Sequence, residues 1–137
     1  MPLPTTDIIA FLQNLGWDTA QESGAPIVMG PYILKVPDQL VTITPTPGPG
    51  YVYEGDADAN AFQARVRGGQ NDQPGAEALA YQLDSLILGA QFPAVSASGF
   101  TIVHIHRNGG TPSPLAPNPD DAERYEYTCQ YLVIAGT

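Results

Sequence analysis

The segment from Ala61 to Gly89 constrains the fold most strongly, because two different hydrophobic periodicities follow each other within it. In its first part, Phe62, Ala64 and Val66 alternate with polar residues, and this period of two predicts a strand with one buried face. After a Gly- and Pro-containing break, the apolar residues of Ala76–Leu88 recur at the spacing of one helix side. The segment therefore predicts a strand, a crossing loop and an amphipathic helix that packs on the strand.

The same two periodicities appear elsewhere in the chain. The segment Asp7–Leu15 carries its apolar residues on one helix side and is followed by a glycine that suits a helix end. Alternating or β-branched runs predict further strands at Pro31–Pro37, Gln39–Thr44, Thr101–Arg107 and Glu123–Ala135. The first two are expected to flank a tight turn, and the last two to pair antiparallel.

Together these segments predict one α+β domain that spans residues 1–137. We expect a mixed or antiparallel sheet of about four main strands, with two helices packed on one face. The chain contains 14 glycines and 14 prolines, and many of them fall in the segments 45–50 and 108–119. Long Pro/Gly-rich loops are therefore expected at both segments.

The charge balance limits the class of partner. The net charge is −9, from 14 acidic and five basic residues. Proteins bind nucleic acid phosphates with lysines and arginines, so nucleic acid binding is not expected. Its first residues lack the basic start of a signal peptide, and no apolar run is long enough to span a bilayer. We expect a protein made in a cytoplasm, with its single cysteine, Cys129, buried and unreactive.

Two histidines raise the question of a metal site. In the predicted strand Thr101–Arg107, alternation places Ile102, His104 and His106 on one face and Val103 and Ile105 on the other. Zinc sites normally take at least three protein ligands. Glu126 or Asp84 is a candidate third ligand, but neither stands at a motif spacing. We therefore predict no metal site, and a pH-sensitive interface is a weaker alternative.

The sequence also lacks the marks of catalysis. It has no G-x-S-x-G nucleophile elbow and no G-x-x-x-x-G-K-[ST] phosphate-binding loop. No catalytic residue and no cofactor-binding residue is predicted, so the chain is not expected to be an enzyme.

Arg65 and Arg67 lie on the polar side of the strand that contains Phe62, and they have two interpretations. Arginine forms bidentate bonds with carboxylates, so the two side chains are candidates for ion pairs with a neighbouring subunit. The alternative is a solvated sheet face with local salt bridges, and the sequence leaves both open.

Three segments, taken in order, carry a resemblance to a known family. These are the strand FQARVRG at 62–68, the helix AEALAYQLDSLIL at 76–88 and the closing strand ERYEYTCQYLVI at 123–134. The series resembles bacteriophage tail terminator proteins, also called minor capsid or tail-completion proteins. The opening helix Asp7–Leu15 fits as well, so the resemblance covers most of the chain.

The resemblance implies a non-enzymatic virion protein at the head–tail junction. Members of the family form a ring, usually hexameric, that caps the finished tail tube and presents a surface to the head-side connector. DNA passes through the lumen without specific binding, and no membrane is involved. Assembly in the host cytoplasm is expected. The alternatives are a head-completion or connector protein, and a small acidic adaptor whose proline-rich loops bind a partner.

If the resemblance holds, subunit or partner contacts are expected on the polar strand face and on the proline-rich loops, which compact members lack. The candidate interface residues are Arg65, Arg67, Tyr51, Tyr53, Pro47, Pro49, Pro112 and Pro114.

Overall fold

A computed structural model defines two helices and eight strands in the part of the chain that it describes. That part comprises residues 3–17, 25–31, 33–35, 38–47, 52–53, 57–116, 118–120 and 122–136. The helices are α1 (Thr5–Asn14) and α2 (Gln73–Leu88). The strands are β1 (Ile27–Met29), β2 (Leu40–Thr46), β3 (Val52–Tyr53), β4 (Ala57–Gln70), β5 (Ala94–Val95), β6 (Thr101–Arg107), β7 (Ser113–Pro114) and β8 (Arg124–Gly136).

The strands form one mixed sheet in the order β1-β2-β4-β8-β6-β5, with β3 beside β4 and β7 beside β8. Only β1 and β2 run parallel among the described pairs. The predicted α+β class with two helices is confirmed. Of the described strands, β2, β4, β6 and β8 have seven or more residues and form the body of the sheet.

The core lies between the two helices and one face of the sheet. Phe62 of β4 lies opposite Tyr131 of β8, and their rings stack with centroids 5.2 Å apart. Leu83 and Ile87 of α2 belong to the same buried cluster, as does Leu12 of α1. Burial of each large apolar side chain contributes about 1.5 to 3 kcal/mol. The predicted alternation of β4 is confirmed, because Phe62, Ala64 and Val66 belong to the buried cluster beneath the helices.

The single cysteine lies on this helix-covered face. Cys129 is buried, as predicted, and burial raises the pKa of its thiol. It lies opposite Ala64 of β4.

Each helix also carries one buried carboxylate that forms hydrogen bonds with residues outside the helix. In α1, Asp7 accepts hydrogen bonds from Ser96 Oγ at 2.6 Å, Ser98 Oγ at 2.8 Å and the Ser98 amide at 3.0 Å. In α2, Asp84 accepts bonds from Arg107 and from the Tyr131 hydroxyl. Each carboxylate ties its helix to a distant segment of the chain, and so fixes where the helix lies on the sheet.

Burial and hydrogen bonding act on these carboxylates in opposite directions. Burial alone would raise the pKa of Asp7 and of Asp84. The bonds from Ser96 and Ser98 outweigh burial at Asp7, and those from Arg107 and Tyr131 outweigh it at Asp84. Both groups therefore keep a pKa below the usual value and remain ionised at neutral pH.

Strand β6 differs from the prediction in its alternation. A bulge interrupts its pairing with β8 between Ile102 and His104. Val103 is the extra residue in β6, so the alternation of faces shifts by one residue after Ile102. Ile102 and Ile105 are both buried on the helix side, whereas Val103 is 48% exposed. The prediction that Ile102 shares a face with the two histidines, and Ile105 with Val103, is wrong for this reason.

The region before β2 also differs. Within the predicted strand 31–37, the described residues Ile33, Leu34 and Lys35 form no strand, and residues 32, 36 and 37 lie outside the described part. Strand β2 instead pairs with β1 and β4. Of the predicted loop 45–50, the first two residues belong to β2, and residues 48–50 lie outside the described part.

Candidate functional site

The sheet face turned away from the helices carries the candidate residues Arg65 and Arg67 and both histidines, and we term it the open face. It consists of the side chains of β2, β4, β8 and β6 that alternate with the core residues. The pairing register aligns them in cross-strand rows. These rows are Leu40–Arg67–Glu126, Thr42–Arg65–Thr128, Thr44–Gln63–Gln130, Ala61–Leu132–His106 and Ala59–Ile134–His104.

The rows give the open face a chemical gradient. One end holds charged side chains, the middle holds hydroxyls and amides, and the other end is apolar with two histidines at its margin. Ala59, Ala61 and Leu132 form a small buried cluster of their own at the apolar end. The open face thus has a charged end and an apolar end, and the three apolar residues of that cluster are buried within the chain.

At the charged end, Arg65 is bound within the chain. Its guanidinium donates from Nε to Oε2 of Glu126 at 2.7 Å, and its Nη2 bonds the same oxygen. The Arg65 side chain remains 32% exposed, whereas that of Glu126 is 11% exposed. This is the local salt bridge of the second interpretation, yet a third of the arginine stays accessible to a partner.

Arg67 and Arg124 hold a neighbouring segment in place. Arg67 Nε donates to the carbonyl oxygen of Asp38 at 2.7 Å, and Arg124 Nη1 donates to that of Lys35 at 2.6 Å. Arg124 Nε also bonds Asp120 Oδ2 at 3.0 Å. Arg67 is 3% exposed, so the expectation that its side chain faces outward is wrong. Burial, together with the charge of Arg124, lowers the pKa of the Arg67 guanidinium.

A cleft of about 220 Å³ opens beside Arg65. The cleft is lined by the charged side chains Arg65, Arg124 and Glu126 and by Leu115, Ala116, Asn118, Pro119 and Asp120. Leu115 is 43% exposed at its rim. Both arginines of the cleft already bind carboxylates that line it, Glu126 and Asp120, so the cleft presents only the accessible part of the Arg65 guanidinium.

The histidines lie at the opposite end of the open face. The rings of His104 and His106 stack with centroids 5.5 Å apart, and Phe92 meets His104 edge-on at 5.6 Å. Asp84 lies on the helix side of the sheet, and Glu126 is bound to Arg65. Neither acid is therefore placed as a third metal ligand. Among the described residues no group of three or more potential metal ligands comes together.

The loop candidates are placed differently from one another. Pro47 and Pro114 are exposed, Pro114 as part of β7. Pro112 is buried over a small apolar gap next to Leu83 of α2 and Cys129. Tyr53 belongs to β3, and its side chain lies outside the described part, as do Tyr51 and Pro49 altogether. Sequence patterns missed the buried position of Pro112, because nothing local indicates that this loop folds back onto the core.

Neither described helix is long and apolar enough to cross a membrane.

Solved structures share this fold. A chain from the virion of a native gene transfer agent particle superposes with a TM-score of 0.62 at 12% identity, over 93% of this chain and 86% of that one. A second solved chain gives a TM-score of 0.53 at 18% identity, over 96% of both chains. At these identities the similarity establishes the fold alone. Comparison with curated proteins gives no significant match.

The sequence itself gives the family. The profile of the bacteriophage tail terminator protein family matches residues 11–136, which include β1 to β8, α2 and the end of α1. Because the match spans nearly the whole chain, the protein belongs to the bacteriophage tail terminator family.

Proposed function

We propose that the protein is a tail terminator that forms a homo-oligomeric, hexameric ring on the end of the tail tube and joins it to the head-side connector. The observation that carries this proposal is the family match over residues 11–136. The role is structural rather than catalytic, and residues 1–137 act as one domain.

The fold adds support for a place in a virion. The solved chain with a TM-score of 0.62 comes from the virion of a gene transfer agent particle. A protein of the same fold and of the tail terminator family is suited to the same kind of particle. We place it at the head–tail junction, after assembly in the host cytoplasm.

The charge distribution suits a ring through which DNA moves. The chain carries a net charge of −9, so its overall field repels a phosphate backbone. Three of its five basic residues are engaged in bonds at the charged end of the open face: Arg65, Arg67 and Arg124. DNA therefore meets few free cations and passes without specific binding.

Ring contacts need accessible surface on each subunit. The proposed contacts are Arg65 with its cleft and the exposed prolines Pro47 and Pro114. Tyr51, Tyr53 and Pro49 stay proposed contacts, whereas Arg67 and Pro112 are buried within the subunit and are withdrawn. In a ring, one surface of each subunit meets a different surface of the next. The open face and the proline-rich loops supply two such chemically distinct surfaces.

The experiment is an end-labelling assay on tail tubes. Gold-labelled protein is mixed with tubes polymerised from the tail tube protein of the same phage, and the mixture is imaged by negative-stain electron microscopy. The proposal predicts label at one tube end and no further tube growth from that end. Label on isolated heads but not on tubes would favour a head-completion protein, and label on neither would favour the adaptor alternative.

A further inference from the structure

Two segments that are far apart in the sequence meet at one buried arginine. Arg124, at the start of β8, has a side chain that is only 9% exposed. Its Nη1 donates to the carbonyl oxygen of Lys35 at 2.6 Å and lies 3.3 Å from Oδ1 of Asp38. Its Nε donates at 3.0 Å to Oδ2 of Asp120, which lines the cleft beside Arg65. One guanidinium therefore holds both segments.

Both segments lie at the surface. Lys35 and Asp38 are exposed, and residues 118–120 are exposed or half-buried. None of these residues belongs to a described helix or strand. Surface segments of this kind open at a lower free energy than core elements, so a few hydrogen bonds decide how often they open.

The buried arginines beneath the segments depend on acids from both of them. Arg67 is also buried, and its Nε donates to the carbonyl oxygen of Asp38. Burial and the charge of Arg124 lower the pKa of the Arg67 guanidinium. The charges of Asp38, Asp120 and Glu126 act in the opposite direction. Because these acids jointly compensate two buried cations, the loss of one acid weakens the contacts made by both arginines.

We propose that Arg124 couples the two segments, so that displacement of Asp120 also releases the chain at Lys35. A guanidinium is a rigid planar fork, so its Nε and Nη1 bonds form in one common orientation. Loss of the bond to Asp120 removes one of the contacts that fix this orientation, and the bond to the Lys35 carbonyl weakens with it. A contact in the cleft that displaces Asp120 therefore acts on a second surface of the subunit. This coupling belongs to the single subunit and does not depend on the ring proposed above.

The chain contains a single lysine, which makes the coupling measurable. An endoproteinase specific for lysine cuts the full chain only after Lys35. The protease must bind the carbonyl oxygen of Lys35 in its own oxyanion hole, and this is the oxygen that Arg124 holds. When opening and closing are fast relative to cleavage, the initial cleavage rate is proportional to the fraction of open molecules.

Asp120→Asn is the central variant. Asparagine keeps an Oδ1 that can accept from the amides of Ala122 and Arg124, but its amide nitrogen cannot accept from Arg124 Nε. We expect cleavage after Lys35 to be about threefold faster in Asp120→Asn and about tenfold faster in Arg124→Gln. Adding Asp120→Asn to Arg124→Gln should give no further increase, because the coupling passes through Arg124.

Two control variants separate local release from a change in charge and from general destabilisation. Asp72→Asn removes an exposed carboxylate that accepts from the Gly75 amide at the start of α2. Tyr131→Phe removes the buried hydrogen bond to Asp84 and destabilises the core. Both are expected to be cleaved at the wild-type rate, because local opening does not require the core to unfold. Circular dichroism and sedimentation velocity check that each variant keeps its fold and oligomeric state.

Three results would overturn the inference. The first is a wild-type cleavage rate in Asp120→Asn. The second is an equal acceleration by Asp120→Asn whether or not Arg124 has been replaced by glutamine, because the effect then bypasses this side chain. The third is a Tyr131→Phe variant that is cleaved as fast as Asp120→Asn, because cleavage then reports global unfolding. The end-labelling assay tests the tail terminator function separately.

Discussion

The hydroxyl of Tyr131 in β8 donates a 2.7 Å hydrogen bond to Oδ1 of Asp84 in α2, and both side chains are almost fully buried. Arg107 of β6 binds the same carboxylate, with Nε 3.1 Å from Oδ1. One acid thereby joins α2 to the two strands beneath it. Because the carboxylate is both paired and hydrogen-bonded, its burial is compensated.

Removing this acid should destabilise the fold more than removing one of its partners. Asp84→Ala leaves the buried Tyr131 hydroxyl and Arg107 without their acceptor. We expect a loss of about 2 to 3 kcal/mol in the free energy of unfolding, because Arg107 is partly exposed and regains water. Tyr131→Phe keeps the ion pair and should cost about 1 kcal/mol. Urea unfolding measures both, and equal losses would contradict the arrangement.

The loss of folding stability at low pH should depend on Asp7. Because its pKa is lowered in the folded state, Asp7 contributes stability that is present above the pKa of an unfolded carboxyl group and is lost as the pH falls through the folded value. Asp7→Asn should be less stable at neutral pH and should lose less stability between about pH 5 and about pH 2. Thermal midpoints across that range test this, and an Asp7→Asn variant with the same dependence on pH as wild type would contradict it.

The contact between β4 and α2 should tolerate no side chain at Gly68. A Cβ there would lie 2.6 Å from Ala76 Cβ and 2.8 Å from Ala76 Cα, so the helix would have to shift. Gly68→Ala is expected to cost about 1 to 3 kcal/mol of unfolding free energy.

The next residue offers a matched control for that substitution. A Cβ at Gly69 would meet nothing within 4 Å, so Gly69→Ala should be neutral or slightly stabilising. If both substitutions change the free energy of unfolding equally, the close approach of Ala76 to Gly68 is not the reason that position 68 requires glycine.

Arg65 should matter for assembly rather than for folding. Its ion pair with Glu126 is partly exposed, so Arg65→Ala should change the unfolding free energy by no more than about 1 kcal/mol. Self-association should weaken if the cleft beside Arg65 is a subunit contact. Sedimentation velocity compares Arg65→Ala with Tyr81→Ala, and identical association of both would remove the cleft from the interface.

Sequence patterns predicted the parts of the fold that local periodicity determines. The alternation of Phe62, Ala64 and Val66 and the apolar side of α2 placed both elements correctly, because each buries one long face. Strand β8 was also found, since its alternating side chains continue over 13 residues. The resemblance of these three segments to tail terminators led to the right family.

The missed features depend on contacts distant in sequence. Strand β1 has three residues and is stabilised by parallel pairing with β2, which no local pattern indicates. The bulge after Ile102 depends on the pairing of β6 with β8. It puts Ile102 on the face opposite to the two histidines, whereas regular alternation predicts that they share a face. Arg67 looked like a surface residue, because the segment that covers it, at Asp38, lies 29 positions earlier in the chain.

The mass of the assembled particle tests the central claim most directly. Native mass spectrometry of the purified chain, alone and bound to tail tube ends, should show one discrete homo-oligomer with the mass of a hexamer. Such a single closed species is expected from a ring of identical, heterologous contacts. A protein that remains monomeric under both conditions, or that forms open filaments of variable length, would contradict the ring.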